Sequence, residues 1–325
     1  MKHVLVTGAG GFIGSHLTER LVRDGHQVRA LVHYNSRNDW GQIELLPPDV
    51  RDAIEVVSGD IMDPFMVDKV VAGCDTVFHL CSLIAIPYSY VAPQAYVATN
   101  VSGAVNVLQA ARQHNVERFV HTSTSECYGT ARYAPIDEKH PLQGQSPYSA
   151  SKISADFIAE SFWRSFGLSV ATIRPFNTYG PRQSARAVIP TIISQALAGG
   201  TVKLGSVHPT RDMNFVADTV DGFVKIAHNE AAIGEVINIG SGREFTIGQI
   251  AQKIFDIIGV QPEIVTDDQR KRPENSEVER LLCDNGKAAK LLGWHPATSL
   301  DAGLAATVAW FRDNQNRYKP SVYNL

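Results

Sequence analysis

The sequence predicts an α/β protein with a doubly wound parallel sheet and a smaller C-terminal α+β lobe. Short apolar runs alternate with segments whose apolar residues recur every three or four positions, as in amphipathic helices. The apolar runs are continuous instead of alternating, which is typical of parallel strands covered by helices on both faces. A hydrophobic content of 44% in 325 residues is enough for a core of this kind.

The first half of the chain repeats a strand, helix, strand pattern, which predicts the doubly wound sheet. The predicted strands are residues 4–6, 27–32, 54–57, 76–80, 118–122 and 169–173. The predicted crossover helices are residues 12–24, 95–114 and 149–166. We therefore expect a first domain over residues 1–175.

The alternation is less regular beyond residue 175, where turn residues are denser. The pattern there predicts helices at residues 188–198, 219–228, 246–258, 286–292 and 300–314, and short strands at 202–204 and 214–216. We expect residues 176–325 to form mainly a second lobe, with some chain returning to the first domain. Such a lobe would lie at the carboxyl edge of the sheet, where open α/β sheets bind ligands.

Composition and residue spacing exclude several classes of function. Thirty Lys and Arg against 33 Asp and Glu give a formal net charge of −3 without long runs of one sign, so no nucleic-acid partner is expected. No apolar stretch has the length of a membrane span or the pattern of a signal sequence, so we expect a cytoplasmic protein without a membrane partner. The cysteines and histidines lack the spacing of a metal site, so free thiols and no metal are expected.

A glycine-rich segment at residues 7–14 follows the first strand and opens the first helix. Gly8, Gly11 and Gly14 allow a tight turn, let the backbone approach a pyrophosphate and let the helix pack closely on the strand. The N-terminus of the helix favours the anion. This segment predicts a dinucleotide site of the Rossmann type.

The end of the second strand lacks the acidic residue that usually holds the adenosine ribose of NAD. His33, Ser36 and Arg37 stand there instead. Polar donors and a guanidinium suit the 2′-phosphate of NADP, which gives a slight preference for NADP over NAD, although Arg37 is equally compatible with an ordinary loop arginine. Asp60 follows the third strand and either accepts from the adenine amino group or forms a turn.

Tyr148 and Lys152 stand four residues apart at the start of the helix that is predicted after Pro147. Residues at this spacing share one helix face. The ammonium can therefore lower the pKa of the phenol and make it a proton acceptor near neutral pH. The pair predicts acid–base catalysis beside the dinucleotide.

These features, together with residues 174–182, 210–212 and 292–296, resemble the extended short-chain dehydrogenase/reductases, and among them the members that modify nucleotide sugars. The resemblance covers nearly the whole chain. It implies an enzyme that holds NAD(P) tightly, regenerates it in each turnover and takes a nucleotide sugar as substrate. It also implies a homodimer formed through the helices near residues 100–114 and 149–166.

Residues 122–129 narrow the reaction. Thr124, Ser125 and Glu126 resemble the catalytic residues of the 4,6-dehydratases, in which the Glu removes the C5 proton after oxidation at C4, whereas simple 4-epimerases usually lack this Glu. Glucose-type dehydratases carry Asp at the place of Ser125, but GDP-mannose 4,6-dehydratases and UDP-glucuronate decarboxylases carry Ser. Serine is too weak an acid to protonate a leaving hydroxyl, so Glu126 or a relayed water would supply that proton.

Residues 83–90, 123–126, 137–142 and 182–186 look most like the N-acetylglucosamine nucleotide 4,6-dehydratases of the legionaminic acid pathway. We therefore expect a lyase that converts GDP- or UDP-linked N-acetylglucosamine into the 4-keto-6-deoxy sugar. A UDP-glucuronate decarboxylase and a nucleotide-sugar 4-epimerase are the alternatives. A cofactor-binding protein without activity is an alternative of another class, against which the intact catalytic residues argue.

The resemblance also assigns site residues by position. The catalytic residues are Thr124, Ser125, Glu126, Tyr148 and Lys152. The cofactor residues are Gly8, Gly11, Phe12, Ile13, Gly14, His33, Ser36, Arg37, Asp60, Ile61, Leu80, Asn100, Tyr148, Lys152 and Pro175. The substrate residues are Ser82, Thr124, Asn177, Arg186, Val188, Arg211 and Arg280. Asn100 is expected to support the proton relay of Lys152, and Arg280 is more typical of a solvated surface charge.

Overall fold

The computed structural model describes residues 2–320 and 322–323. Its strands are β1 His3–Thr7, β2 Gln27–His33, β3 Ile54–Gly59, β4 Thr76–His79, β5 Arg118–Thr122, β6 Val170–Pro175, β7 Asn177–Tyr179, β8 Val202–Leu204, β9 Thr210–Phe215, β10 Val236–Ile239, β11 Glu244–Thr246 and β12 Ile264–Thr266. Its helices are α1 Phe12–Arg23, α2 Pro48–Arg51, α3 Pro64–Val71, α4 Ile86–Val91, α5 Pro93–Tyr96, α6 Gly103–Gln113, α7 Pro147–Phe166, α8 Val188–Ala198, α9 Val216–His228, α10 Ile247–Ile258, α11 Gly286–Leu292 and α12 Leu300–Asp313.

The central sheet has seven strands in the order β10-β6-β5-β4-β1-β2-β3, and every neighbouring pair in it is parallel. The strands are buried on both sides because one apolar cluster packs α1, α9 and α11 against one face and a second cluster packs α3, α6 and α7 against the other. The predicted doubly wound parallel sheet is therefore confirmed. The strand order reverses at β1, which has β2 on one side and β4 on the other, and such a reversal opens a crevice at the carboxyl ends of the strands.

The later part of the chain builds two small sheets and a third apolar core. The small sheets have the orders β11-β9-β7 and β12-β8, and the core joins α8, α10 and α12. The chain also returns to the central sheet, because α9 packs on α1 and β10 extends the sheet beside β6. The fully buried Trp294, which follows α11, donates through Nε1 to the backbone oxygen of Asp218 in α9 at 3.0 Å.

The sequence pattern missed β7, β10, β11, β12 and the helices α3 and α4, and two predicted elements differ from the structure. The strand predicted at residues 214–216 runs over Thr210–Phe215 instead, and Val216 already begins α9 because Phe215 has extended backbone and caps that helix. The helix predicted without a break over residues 95–114 consists of α5, a π-helical turn at Val97–Ser102, and α6. The wide turn contains the buried Asn100, whose side chain bonds to the loop after β4. Such insertions are frequent at functional sites.

Among the described residues, no helix is long and apolar enough to cross a membrane, and no three His, Cys, Asp or Glu side chains cluster as metal ligands. Cys74, Cys81, Cys127 and Cys283 are free thiols, as the sequence predicts. Burial raises the pKa of Cys81 and of Cys127 to about 12, so both thiols stay protonated and act as packing groups.

Candidate active site

The glycine-rich loop forms a cradle between β1 and α1. Gly8 has a φ of +72°, and a Cβ at this position would lie 2.9 Å from the backbone nitrogen of Cys81. A Cβ at Gly14 would lie 2.2 Å from the backbone oxygen of Gly8, so α1 can approach the loop only with glycine there. Gly11 caps α1 without a side-chain hydrogen bond, and the first turn holds no acidic residue. The free amides at this helix start fit the pyrophosphate of a dinucleotide.

The end of β4 is fixed against β1 beside this cradle. The hydroxyl of Thr7 accepts the amides of Leu80 and Cys81, each at 3.1 Å, and bonds to Nδ1 of His79 at 2.9 Å. The hydroxyl of Ser82 donates to the backbone oxygen of Leu80 at 3.4 Å. The predicted cofactor residue Leu80 and substrate residue Ser82 thus lie on one short segment at the mouth of the crevice.

The loop after β2 carries the residues that we expect to choose between NAD and NADP. Oδ1 of Asn35 accepts the amides of Arg37 and Asp39, each at 3.1 Å, which fixes the loop. The Arg37 side chain is 85% exposed and lies 4.0 Å from Asp39. Asp60 at the end of β3 accepts the amide of Met62 at 2.9 Å, so one of its two oxygens closes a turn. The guanidinium of Arg37 is therefore accessible to an anionic group.

Helix α7 places Tyr148 and Lys152 at the other side of the crevice. Ser146 caps the helix in a reciprocal capping box with Ser149, and Pro147 occupies the first turn. Tyr148 is buried, which raises the pKa of its phenol, while its hydrogen bond with Thr124 acts in the opposite direction. Nζ of Lys152 donates to the backbone oxygen of Thr122 at 2.6 Å, and burial lowers the pKa of this ammonium.

The ammonium of Lys152 is held by the end of β5 in this arrangement. The direct lowering of the Tyr148 pKa by Lys152 therefore stays a prediction from the sequence. The described hydrogen bonds of Asn100 go to the backbone of Leu83 and to Ser151, at 2.8 to 3.0 Å, and not to Lys152. Asn100 thus joins the loop after β4 to the helix that carries Tyr148.

A short 3-10 turn, Ser125–Tyr128, follows β5 and carries the other predicted catalytic residues. Thr124 caps this turn, because its hydroxyl accepts the amide of Glu126 at 3.3 Å. Ser125 and Glu126 are buried within the turn. The structure therefore brings Thr124 into hydrogen-bond contact with Tyr148, and the Glu126 carboxylate lies near enough for its charge to raise the pKa of the phenol.

Two arginines face Glu126 from the second lobe. Nη1 of Arg272 lies 3.6 Å from the Glu126 carboxylate and 3.8 Å from that of Glu277. Nη2 of the buried Arg211 lies 3.4 Å from Glu277. Glu277 thus holds both guanidinium groups at the crevice, where two positive charges suit a diphosphate.

Arg272 belongs to the polar segment of residues 267–279, called the strap below, and it is absent from the residues predicted by sequence. Its neighbours Arg270 and Lys271 are equally basic but pair with acidic residues of the strap itself. Sequence spacing does not separate these three residues; only the fold shows that Arg272 points to Glu126.

Arg280 lies away from this pair of arginines. Its guanidinium makes a bidentate contact with Glu244 at 2.5 and 2.9 Å and is half-exposed. Hydrogen bonding to Glu244 raises the pKa of Arg280 and keeps its donors engaged. This placement agrees with a surface charge at Arg280, and its predicted contact with substrate stays a prediction.

The other predicted substrate residues line the second-lobe side. Asn177 begins β7, and its buried Oδ1 has no hydrogen-bond partner among the described residues. Val188 begins α8, and the exposed Arg186 precedes it on a loop whose charge faces Tyr96. Of the predicted cofactor residues, Pro175 ends β6, and Ile61 follows β3 and is buried against Gly103.

Arg211 is held in place by its neighbour Asp212. The buried Asp212 carboxylate accepts the hydroxyl and amide of Ser241 and the amides of Gly242 and Cys283, at 2.6 to 3.1 Å. Burial raises the pKa of Asp212 to about 6 against these hydrogen bonds. The strand that carries Arg211 is thereby fastened to the turn after β10.

A cavity of about 300 Å³ borders the sheet behind the catalytic turn, lined among others by Glu138, Asp156, Arg174 and Lys287. None of the predicted site residues lines it. We therefore assign the substrate to the crevice at the carboxyl ends of the strands and not to this cavity.

Known proteins with similar sequences and structures agree with this arrangement. A protein-family model described as GDP-mannose 4,6 dehydratase matches residues 5–307. A dTDP-glucose 4,6-dehydratase from Streptomyces antibioticus is 35% identical over 98% of this chain and 95% of that protein. A UDP-glucose 4-epimerase from Mycolicibacterium smegmatis is 35% identical over 95% of this chain and 98% of that protein. The crystal structure of a dTDP-glucose 4,6-dehydratase from Streptomyces venezuelae with NAD bound has a TM-score of 0.86, 30% identity, and covers 98% of this chain and 99% of that chain.

The cradle yields a direct prediction. Gly14→Ala should weaken the binding of NAD and NADP alike by roughly tenfold or more, because a Cβ 2.2 Å from the Gly8 oxygen must push α1 away from the loop. Titration calorimetry with each dinucleotide measures this loss. Gly248→Ala is the matched control, since the nearest atom to a Cβ at Gly248 is 3.6 Å away. Unchanged affinity in the Gly14 variant would show that the dinucleotide does not need this close packing.

Proposed function

From the premise that the chain belongs to the GDP-mannose 4,6 dehydratase family, we propose that it is a nucleotide-sugar 4,6-dehydratase. The proposed substrate is GDP- or UDP-linked N-acetylglucosamine, and the product is the 4-keto-6-deoxy sugar. The observation that carries this proposal is the meeting of Thr124, Glu126 and Tyr148 at one point, opposite Arg211 and Arg272. A carboxylate beside the phenol and hydroxyl is what dehydration requires beyond oxidation at C4.

The residues divide the chemistry among them. NAD(P) bound in the glycine cradle supplies the hydride acceptor for C4 and the hydride donor for C6. As a phenolate, which its hydrogen bond with Thr124 favours, Tyr148 takes the proton of the C4 hydroxyl. This proton passes to C5 when the hydride returns to C6, which restores the phenolate. Glu126 takes the C5 proton, which the C4 ketone makes acidic, and returns a proton to the C6 hydroxyl as it leaves as water. The net reaction is therefore the loss of one water, with no net oxidation.

The second lobe supports binding of the nucleotide end. Arg211 and Arg272 present two guanidinium groups, and the unpartnered oxygen of Asn177 can accept a hydrogen bond from the ligand. The preference for an acetamido sugar depends on the resemblance of residues 83–90 and 182–186 to enzymes that use it. Residues 83–90 pack against Tyr148, and the charge of Arg186 in the loop before α8 reaches Tyr96 of the same cluster.

UDP-glucuronate decarboxylation is a second candidate, which one contact favours. A glucuronate carries a carboxylate at C6 and needs a cation beside it, and Arg272 lies 3.6 Å from Glu126. The same arginine serves a diphosphate in the first proposal. Since both reactions begin with oxidation at C4, product analysis has to separate them.

Product mass tests the function directly. The protein is incubated separately with UDP-N-acetylglucosamine, GDP-N-acetylglucosamine, dTDP-glucose and UDP-glucuronate, each with NAD and NADP. Loss of about 18 Da, one water, from an acetamido sugar nucleotide is the expected result. The same loss from dTDP-glucose alone would keep the dehydratase and change the sugar. Loss of carbon dioxide from the glucuronate, or an isomer of unchanged mass, would overturn the dehydratase proposal.

Glu126→Gln separates the steps of the reaction. We expect this variant to reduce the bound cofactor when the sugar is added, because oxidation at C4 needs only Tyr148, but not to exchange the C5 proton with solvent deuterium. Turnover should fall by about 10²- to 10⁴-fold, the usual contribution of a general base. Nicotinamide absorbance and mass spectrometry in D₂O measure the two steps.

Tyr148→Phe is the matched variant for the first step and should show neither cofactor reduction nor exchange. If deuterium enters C5 of the Glu126→Gln sample at the normal rate, a different base acts in this site.

We also propose a preference for NADP over NAD, carried by the exposed guanidinium of Arg37 and by the absence of acid at the end of β2. Arg37→Ala should weaken NADP binding by roughly 10- to 100-fold, as for a lost charged hydrogen bond, and leave NAD binding in place. Titration calorimetry measures both constants. Arg51→Ala, a surface arginine paired with Asp52, is the control. Tighter binding of NAD than of NADP by the unmodified protein would contradict the preference.

A homodimer formed through the helices near residues 100–114 and 149–166 is likewise proposed. Phe157 of α7 and Val97, at the start of the π-helical turn, expose about half of their side chains and could face a second copy. Leu108 and Phe162 do not serve such a contact, because both are buried in the core beneath the helices.

A further inference from the structure

Asp156 is a buried carboxylate for which the proposed chemistry has no use. It accepts hydrogen bonds from Nη2 of Arg174 at 2.7 Å, from the hydroxyl of Ser123 at 2.5 Å and from Nε2 of His121 at 3.0 Å. All four side chains are buried. A buried charge with this many partners is expensive to assemble, which indicates that the cluster has a specific role.

The cluster joins the two halves of the catalytic machinery. Asp156 lies one helical turn beyond Lys152 on α7, and Ser123 immediately precedes Thr124. The Ser123 hydroxyl donates to Asp156 and accepts from Nε of Arg174 at 3.0 Å, so both of its roles are occupied. The cluster therefore fixes α7 against the end of β5.

Arg174 also holds the far end of the catalytic turn. Its guanidinium carbon lies 4.7 Å from the ring centroid of Tyr128, the last residue of the 3-10 turn that carries Glu126. The Tyr128 hydroxyl donates to Oδ1 of Asn238 in β10 at 2.8 Å. The turn is thus held on both sides. Ser123, which precedes it, bonds to Asp156 and Arg174, and Tyr128, its last residue, packs against Arg174.

We propose that Asp156 is a positioning residue, which through Ser123 and Arg174 sets the turn with Thr124 and Glu126 against the helix with Tyr148 and Lys152. Its negative charge also keeps the Lys152 ammonium protonated. This inference rests on the proposed function, which assigns the roles of Glu126 and Tyr148. The hydrogen bonds around Asp156 are independent of that function.

The effect of Asp156 on the protonation of Lys152 follows from the groups around this ammonium. Burial lowers the pKa of this ammonium, and the charge of Asp156 is the main influence that raises it. Cys127 of the turn and Cys81 after β4 face it as protonated thiols. His79 of β4 and His121 of β5 also face it, and burial lowers the pKa of both, so they are neutral near pH 7.

Asp156 itself remains charged, because His121, Arg174 and Ser123 hold its pKa well below the usual range against the effect of burial. Loss of this charge should lower the pKa of Lys152. Protonation of Lys152 is complete below its pKa and is lost as the pH rises through it, so the alkaline limit of activity should move to lower pH.

Asp156→Asn tests the inference in the full-length protein. NMR of isotope-labelled lysine, with the signal assigned by Lys152→Arg, should show the pKa of Lys152 about one unit lower or more. With the sugar nucleotide that the protein turns over, kcat should fall roughly 10- to 100-fold, as for a misplaced catalytic group, and KM should stay within about twofold. An unchanged Lys152 titration, or a fall in kcat no larger than the fraction of the variant that is unfolded, would overturn the proposal.

Ser123→Ala keeps the test decisive if the first variant does not fold. It removes the two hydrogen bonds of Ser123, to Asp156 and from Arg174, and leaves the charges, so kcat should fall while the Lys152 pKa stays in place. Unchanged kcat in this variant would contradict the positioning role. Ser154→Ala, on the exposed side of α7, is the matched control and should change neither quantity. Because the lysine titration needs no substrate, it decides the inference even if no tested sugar nucleotide reacts.

Discussion

The burial of charge is the constraint on which the rest of this structure depends. Lys152, Glu126 and Arg211 are buried at the crevice and Arg272 is partly buried, so each of these charged groups loses hydration there. The structure compensates with opposite charges on different elements: Glu277 of the strap meets Arg211 of β9, and Asp156 of α7 meets Arg174 of β6. Such pairs contribute less to stability than their geometry suggests, because desolvation offsets their attraction. Their value lies in orientation, since each pair fixes one element against another at the site.

Parallel topology brings these charges to one place. Residues from β1, β4, β5 and β6 meet only because every strand of the central sheet ends at the same edge, and the reversal of strand order at β1 leaves that edge open. The hydroxyl of Thr7 then fixes the end of β4 to β1, because it accepts hydrogen bonds from the amides of Leu80 and Cys81 just beyond β4. The second lobe closes the crevice from the side of the strap. The fold therefore brings the charged side chains to one edge of the sheet, and the buried ion pairs fix their orientation there.

The sequence was sufficient for features that depend on local pattern. The glycines of the cradle, the Tyr148 to Lys152 spacing and six strands of the central sheet each follow from neighbouring residues, whereas the edge strand β10 was missed. Contacts across the fold could not be predicted in this way: Arg272 is indistinguishable from Arg270 and Lys271 along the chain, and only the fold shows that Arg272 reaches Glu126 while Arg280 reaches Glu244. The π-helical turn was also hidden, because its Asn100 bonds to Leu83, a residue 17 positions earlier.

The strap links the two ends of the proposed substrate. Ser276 within it accepts or donates a hydrogen bond with Tyr90 at 2.6 Å and donates to the backbone of Gln145 at 2.7 Å, so the strap is fastened to the walls around Tyr148. The same strap carries Arg272, which lies beside Glu126. In the proposed function, a diphosphate that binds Arg272 would therefore act on the positive neighbour of the carboxylate that removes the C5 proton. Binding energy from the nucleotide would in that way be used at the sugar, where it raises the rate and not only the affinity.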